Sequence, residues 1–241
     1  MCAAHRSWWD RIDFRRKGLA VADVQGLTVG VLGGTGAQGK GLAIRWAKAG
    51  LKVVIGSRSA ERAQEAAAEI AETSGGDVTG QDNVGCATTA DIVVVGVPWE
   101  AHEPTLTSLR GELAGKIVVD CVNPLGFDEK GPYALQVPEG SAAQQAEQLL
   151  PDSRVTAAFH HVSAVTLADL GVDQVELDVL VLGDDRDATD VVRALADTIS
   201  GVRGVYGGRL RNAHQVEAFT ANIIAINRRY KAHAGLRITD V

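Results

Sequence analysis

The chain has 241 residues, of which 46% are hydrophobic and 22% are charged, a composition typical of a globular protein. Its formal net charge is -6, and Lys and Arg are scattered along it, so no basic stripe indicates a nucleic-acid partner. No apolar run approaches the ~18 residues of a membrane helix, and no signal-peptide core is present. We therefore expect a cytoplasmic protein with neither a nucleic-acid nor a membrane partner.

Residues 1–26 are predicted to be an N-terminal extension. Trp8 and Trp9 stand there among several basic residues, without a sustained hydrophobic period. One interpretation is an arm that binds a membrane surface or a partner, and the other is a flexible tail. We assign no chemistry to this segment.

A strand-turn-helix pattern begins at residue 27. Residues 27–32 form a short apolar run, a glycine-rich turn follows, and residues 42–47 have helical spacing. A second apolar run at 52–56 and an Ala- and Glu-rich helix at 60–73 follow directly. The pattern is therefore a βαβα unit.

Two further apolar runs, at 92–97 and 117–121, lack polar alternation, as strands do when helices cover both faces of a parallel sheet. A helix is predicted between them at 103–113. Later segments are predicted as a helix at 141–150, strands at 155–159 and 177–182, and a helix that Asp187 caps and that ends at residue 200. Together these elements predict an α/β fold with a doubly wound parallel sheet of the Rossmann type.

The last predicted helix spans residues 212–232. Its apolar residues recur at intervals of three and four and should share one face, namely Val216, Phe219, Ile223, Ile226 and Tyr230. This face packs either within its own chain or against a second copy in a homodimer.

A glycine motif lies in the turn after the first strand. Gly34, Gly36 and Gly39 match G-x-G-x-x-G, directly after a predicted strand and before a predicted helix. In this motif the first glycine permits the tight turn, the second lets the backbone approach a pyrophosphate, and the third allows close helix-strand packing. The context indicates a dinucleotide site at the helix N-terminus.

The end of the second strand indicates which dinucleotide binds. An NAD enzyme would present an Asp or Glu there to the ribose 2′-hydroxyl, but this chain has Ser57 and Arg58, with Arg62 one helical turn later. Guanidinium groups form bidentate pairs with phosphate. The sequence therefore predicts NADP, the alternative being that both arginines are ordinary surface residues.

No catalytic set is evident beyond the glycine motif. The chain lacks a nucleophile elbow and clustered carboxylates, and Cys2, Cys86 and Cys121 have no metal-ligand spacing. We expect no metal and no acid-base residue, because hydride exchange between two bound rings mainly requires that they be held face to face.

Several motifs resemble, in order, the NADP oxidoreductases that use the 8-hydroxy-5-deazaflavin coenzyme F420. They are Gly33-Gly34-Thr35-Gly36, Ile55-Gly56-Ser57-Arg58, Val97-Pro98-Trp99-Glu100 and Ala158-Phe159-His160-His161. The resemblance covers residues 27–241. It implies reversible hydride transfer between reduced F420 and NADP, with a Rossmann domain at 27–154 and a smaller C-terminal domain at 155–241 that closes over the deazaflavin.

The resemblance also implies roles for individual residues. It assigns Thr35, Gly36, Ala37 and Gln38 to the pyrophosphate; Ser57, Arg58 and Arg62 to the 2′-phosphate; Trp99 and Glu103 to the nicotinamide-ribose side; and Val97, Pro98, His160, Val162 and Leu236 to the deazaflavin pocket. For His160 the alternative is a hydrogen-bonded structural side chain.

Two other functions remain open at this point. One is an NADPH-dependent flavin or ferric reductase of related fold, which would pass electrons to a flavin. The other is a non-catalytic NADP sensor, which would bind the nucleotide without turnover.

Overall fold

The computed structural model describes residues 23–241. Most of the extension predicted at residues 1–26, including Trp8 and Trp9, lies outside the described part of the chain. Within the described part, no helix combines the length and the hydropathy needed to span a bilayer.

The first half of the described chain alternates strands and helices. Its elements are β1 (Thr28–Leu32), α1 (Ala37–Lys48), β2 (Lys52–Ser57), α2 (Ala60–Ser74), β3 (Val78–Asp82), α3 (Asn83–Thr89), β4 (Ile92–Val95), α4 (Trp99–Ser108), α5 (Arg110–Leu113) and β5 (Ile117–Asp120). The predicted βαβα unit is confirmed.

The second half begins with a hairpin and ends with a long helix. Its elements are β6 (Leu125–Asp128), β7 (Gly131–Ala134), α6 (Ala142–Leu149), β8 (Arg154–Ala157), α7 (Ala164–Ala168), β9 (Leu177–Gly183), α8 (Arg186–Asp197), β10 (Val202–Gly208), a 3₁₀ turn (Leu210–Asn212) and α9 (Ala213–Tyr230).

Eight strands form one sheet in the order β10-β9-β8-β5-β4-β1-β2-β3. Pairing is parallel throughout except between β8 and β9, which are antiparallel. The hairpin β6-β7 forms a separate antiparallel pair. The mostly parallel Rossmann-type fold is thus confirmed, with an antiparallel C-terminal edge that the sequence pattern did not predict.

The sheet is covered on both faces, as its apolar strands require. Every residue of β4 and of β5 is buried. One hydrophobic layer contains α1, α2 and α8, and the other contains α3 to α6. Because β1 lies between β2 and β4, the strand order reverses there, and such a switch point leaves a crevice at the carboxyl ends of the strands.

Several elements were not predicted from the sequence, and their weak patterns explain why. Strand β3 (VTGQD) and strand β10 (VRGVYGG) are the two edges of the sheet and carry little apolar alternation. The two strands of the β6-β7 hairpin and the helices α3 and α7 are each at most seven residues long.

Some predicted boundaries were wrong. The helix predicted at 103–113 is two helices that meet at Leu109, and the first of them already begins at Trp99 after Pro98. Asp185, and not Asp187, caps α8, because its carboxylate accepts the Ala188 amide at 3.1 Å. Asp187 lies one residue inside that helix.

The predicted apolar face of α9 is only partly buried. Ile223 is buried, but Phe219, Ile226 and Tyr230 are exposed. The buried side of the helix instead includes two polar residues, Glu217 and Thr220. Since both make hydrogen bonds within the fold, hydropathy alone could not identify this side.

The proposed domain boundary after residue 154 falls inside β8. This strand pairs with β5, so residues on both sides of the boundary belong to the same sheet. The division into two domains remains a prediction.

Candidate functional site

Two adjoining cavities lie at the carboxyl edge of β1, β4 and β5. The first has a volume of about 660 Å³ and is lined by the glycine loop, the end of β2 and the start of α4. The second, of about 320 Å³, is lined by the segments after β5 and β8 and by α9. Gln38, Gly96, Val97 and Pro98 line both cavities, so the two share one wall.

The glycine loop makes its turn at Gly33. Gly33 has a φ of +77°, and a Cβ there would lie 2.5 Å from the Gly96 carbonyl oxygen. Gly34, to which the motif assigned the turn, is buried instead, where a Cβ would lie 2.9 Å from Val31 oxygen. Gly39 does have its predicted packing role, because a Cβ there would lie 2.8 Å from the Gly33 oxygen.

The loop leaves the N-terminus of α1 open to the first cavity. Gly36 is the N-cap and supplies no side-chain cap. Thr35, Gly36 and Ala37 are exposed and line the cavity together with Gln38. Uncapped amides at a helix N-terminus bind anions, because the helix dipole adds to their hydrogen bonds.

Ser57, Arg58 and Arg62 come together at the far end of the first cavity. Both guanidinium groups are exposed, and neither takes part in an ion pair between described residues. Asp82 is the partner of Ser57 in the β2-β3 register, but its carboxylate caps α3 by accepting the Gly85 amide. Among the described residues that line the first cavity, none is an Asp or Glu that could replace the carboxylate missing from the end of β2.

The second cavity combines an apolar wall with polar side chains. Val97, Pro98, His160 and Val162, which the resemblance assigned to the deazaflavin pocket, line it. Trp99, which was assigned to the nicotinamide-ribose side, lines this cavity and not the first one. Cys121, Asn123, Thr220, Ile223 and Asn227 line it as well and were not predicted.

His160 is held in place through its backbone. The preceding residue, Phe159, has a φ of 65°, and its carbonyl accepts the Gln38 side-chain amide at 3.3 Å. The His160 carbonyl accepts Asn123 Nδ2 and Thr220 Oγ1, both at 3.4 Å. This unusual backbone and its hydrogen bonds fix the position of His160, which lines the second cavity.

The His160 imidazole has no hydrogen-bond partner within residues 23–241. Both ring nitrogens are buried and unpaired, although buried polar atoms are normally satisfied. Burial, together with the adjacent His161, lowers the pKa of His160 to about 3. His160 is therefore a neutral imidazole that can still form hydrogen bonds, one nitrogen as donor and the other as acceptor.

His161 differs from its neighbour although both are buried. Its Nε2 donates to the Val216 carbonyl at 2.7 Å, and burial lowers its pKa. Of the two histidines, His161 makes a structural hydrogen bond, and only His160 has unpaired ring nitrogens.

Three predicted residues, Gly34, Glu103 and Leu236, line neither cavity. Glu103 is exposed on α4, and Leu236 accepts the Asp178 amide through its carbonyl at 2.7 Å. From the C-terminal segment, Ala234 lines the second cavity. Their roles in cofactor binding remain predictions.

Asn83 is a residue of the first cavity that sequence reasoning missed. It begins α3, and its buried Oδ1 has no partner in the described part of the chain. No sequence pattern indicated Asn83, because β3, the strand that precedes it, was itself not predicted. Asn123 had a weak signal, since it is the polar residue that soon follows the apolar run of β5.

The two described cysteines are buried, and their thiols donate to backbone carbonyls. Cys121 donates its thiol to the Val95 carbonyl at 2.9 Å, and burial raises its pKa well above the usual range. Burial likewise raises the pKa of Cys86 to about 12. Within the described residues, no group of three or more His, Cys, Asp or Glu side chains is arranged around a metal site.

Residues 28–124 match the family model described as NADP oxidoreductase, coenzyme F420-dependent. The chain is also 40% identical over 223 residues to the F420-dependent NADP reductase of Methanothermobacter thermautotrophicus, covering 89% of this chain and 96% of that protein. The chain belongs to the family of F420-dependent NADP reductases.

Two further comparisons set this family in context. A crystal structure of a protein from Arthrobacter sp. FB24, proposed to be an F420-dependent NADP reductase, has a TM-score of 0.76 and 25% identity, covering 89% of this chain and 100% of that one. The human metalloreductase STEAP2 is 32% identical, covering 82% of this chain but 36% of its own length. This chain therefore covers nearly the whole length of the F420-dependent relatives but only about a third of the metalloreductase.

Proposed function

We propose that the chain transfers a hydride reversibly between NADP(H) and coenzyme F420. The observation that carries this proposal is the wall of Gln38, Gly96, Val97 and Pro98, which the two cavities share. Ligands in the two cavities meet at this wall. Membership of the F420-dependent NADP reductase family supports the identity of both ligands.

The first cavity fits NADP. The uncapped amides after Gly36 suit the pyrophosphate, and Thr35, Ala37 and Gln38 surround the same position. Ser57, Arg58 and Arg62 suit the 2′-phosphate, because arginine pairs with phosphate in a bidentate manner and the described residues that line this cavity include no carboxylate. Asn83 offers a buried acceptor to the same ligand.

The second cavity fits a planar, partly polar ring. Val97, Pro98, Trp99 and Val162 provide apolar contact, and His160 provides buried hydrogen-bonding nitrogens that the protein leaves unpaired. An orphaned polar atom in a cavity is expected where a ligand supplies the partner. This cavity therefore suits the deazaflavin.

When both are bound, reduced NADP supplies a hydride and its two electrons to the deazaflavin, and a solvent proton completes the reduction. The residues around the second cavity do not need to exchange a proton with a substrate. His160 is neutral, and His161 is occupied by the Val216 carbonyl. Their contribution is to bind, orient and exclude water.

The test is to mix the protein with NADPH and oxidised F420 and follow the loss of deazaflavin absorbance. FMN, FAD and ferric chelates are tested in parallel. We expect turnover with F420 and none with the others. Turnover with a flavin or ferric iron alone would support a flavin or ferric reductase, and nucleotide binding without any turnover would support a sensor.

The preference for NADP is tested at Arg58. Because its guanidinium pairs with the 2′-phosphate, Arg58→Ala should raise the KM for NADPH about tenfold or more and leave that for NADH little changed. Arg110→Ala, an exposed arginine on α5, is the matched control. Equal changes for both nucleotides in Arg58→Ala would contradict the assignment.

We further propose a cytoplasmic homodimer. Phe219, Ile226 and Tyr230 remain exposed on α9, and Phe127 and Tyr133 are exposed on the β6-β7 hairpin, which packs against α9. Clustered exposed aromatic residues are typical of subunit interfaces. Light scattering should give a dimer that Tyr230→Asp and Phe219→Asp dissociate, and a wild-type monomer would contradict the proposal.

A further inference from the structure

A group of buried polar side chains lies directly behind the second cavity. His102 on α4 and Asp120 at the end of β5 are completely buried, and Gln145 on α6 and Glu217 on α9 are nearly so. None of the four lines either of the two cavities described above. Burying charges costs free energy unless they are paired, so this group calls for a physical role.

The hydrogen bonds of the group define the state of His102. Its Nε2 lies 2.6 Å from Asp120 Oδ2, and its Nδ1 lies 2.9 Å from Gln145 Oε1. The Gln145 amide nitrogen points to Glu139 at 3.4 Å, which directs the amide oxygen toward His102. Both ring nitrogens therefore face acceptors, and an imidazole that donates twice is an imidazolium.

The surrounding charges agree with this state. Burial by itself lowers the pKa of His102, but Asp120, the two hydrogen bonds and Glu217 outweigh it, and the net shift is upward. Glu217 faces the group from α9 while its carboxylate accepts the Ala142 and Ala143 amides. Burial, with Asp120, raises the pKa of Glu217 to about 7.

The group is joined to the second cavity at Asp120. Its second oxygen, Oδ1, accepts the Val122 amide at 3.0 Å, and Val122 and Asn123 line the cavity. Asn123 in turn donates to the His160 carbonyl. A continuous chain of contacts thus runs from the His102 ring to the backbone of His160.

A second connection passes through Trp99. Its ring contacts the His102 ring, with the two centroids 5.4 Å apart and the planes tilted by 34°. Trp99 also lines the second cavity, and a cation over an indole face is attracted to it. His102 therefore contacts two separate parts of the cavity wall, Trp99 directly and Val122 through Asp120.

We propose that His102, with Asp120, is a positioning residue for the second redox ring, which orients Trp99 and the 121–123 segment for its binding. This inference rests on the proposed function of the second cavity. It gives His102 no contact with either cofactor. Because Trp99 and Val122 line the second cavity and not the first, loss of His102 should weaken binding of F420 and leave binding of NADPH intact.

The test compares His102→Leu, His102→Gln and Asp120→Asn with the wild type. We expect His102→Leu to raise the KM and the dissociation constant for F420 about tenfold or more, because small displacements of a binding wall are costly. The KM for NADPH should stay within about twofold of wild type. His102→Gln should be less impaired, because its amide can still donate to Asp120.

Two variants separate positioning from simple stability. Leu113→Ala removes a completely buried side chain of the same layer, and it should lower the melting temperature without changing the KM for F420. In the double variant His102→Leu/Asp120→Leu, an apolar pair replaces the buried charges and should recover stability. F420 binding should stay weak in it, and recovery to the wild-type value would overturn the proposal.

Nitrogen-15 NMR of the free protein tests the same proposal without any turnover. At neutral pH both ring nitrogens of His102 should carry protons, and a neutral ring would overturn it. Wild type that fails to reduce F420 would refute the proposed function itself. Wild type that turns over, with His102→Leu raising both KM values in step with its loss of stability, would refute only the role of His102.

Discussion

Replacing His160 by leucine is expected to stabilise the protein and to weaken its binding of the second ring. Both ring nitrogens of His160 are buried without partners inside the described fold. An unsatisfied buried polar group costs about 1 to 3 kcal/mol. Leucine is similar in volume and has no polar atom, so the free energy of unfolding should rise by about 1 to 3 kcal/mol at neutral pH.

The stability that His160→Leu gains over the wild type should be larger at acidic pH. Burial and His161 lower the pKa of His160 from 6.5 to about 3. Between these values the unfolded chain binds a proton that the folded chain does not, so the stability of the wild type falls as the pH falls. One pKa unit corresponds to about 1.4 kcal/mol, and this residue should remove about 2 kcal/mol between its ordinary pKa and about pH 5.

The assay is urea unfolding of wild type and His160→Leu, followed by circular dichroism at about pH 7 and about pH 5. The variant should be more stable at both values, with the larger advantage in acid. His161→Leu is the matched control, because it breaks the hydrogen bond to Val216 and should destabilise the protein. Equal losses of stability with pH in wild type and His160→Leu would refute the neutral buried imidazole.

The same variant tests function. Fluorescence titration should show weaker F420 binding in His160→Leu and unchanged NADPH binding, because only the second cavity loses a hydrogen-bonding group. Unchanged binding of both cofactors would remove His160 from the site. A gain in stability with a loss of binding is the pattern expected where a residue is kept for a ligand and not for the fold.

The remaining predictions concern stability. The Arg45 guanidinium is buried and donates to four carbonyls of the segment 166–172. Arg45→Ala leaves these acceptors unpaired and should lower the free energy of unfolding by at least about 1 to 3 kcal/mol; an unchanged melting temperature would contradict this, and Arg45→Lys should be intermediate. Burial raises the pKa of Glu217 from 4.5 to about 7. Between these two pH values the folded chain therefore binds more protons than the unfolded one. The contribution of Glu217 to stability falls by about 3 kcal/mol as the pH rises through this range. Glu217→Gln should lack this slope in urea unfolding, and an identical slope in both proteins would contradict the assignment.

The first cavity could be predicted because its parts are local in the chain. The strand, the turn and the helix that form the glycine loop follow one another within residues 28–48, and Ser57, Arg58 and Arg62 lie within two turns of each other. Hydrophobic period and turn chemistry act over such distances. Even there, one feature depends on a distant segment. The turn lies at Gly33, one residue before Gly34, where the backbone closely approaches the carbonyl of Gly96, the residue that follows β4.

The second cavity depended on contacts between distant segments. His160 could be singled out by resemblance, but its unpaired nitrogens and the separate partner of His161 are properties of the packed fold. Asn123 and Thr220, which hold its backbone, are 97 residues apart. No local pattern brings such residues together.

The amino-acid sequence by itself determined the Rossmann-type fold, the glycine loop and the arginine pair, since these follow from neighbouring residues and from the period of apolar side chains. The tertiary structure alone decided which polar residues are buried beside one another. His102, Asp120, Gln145 and Glu217 come from four separate elements, and their charges and hydrogen bonds exist only after the sheet and helices have packed. Electrostatics at short range depends on distance and burial, and these are properties of the fold.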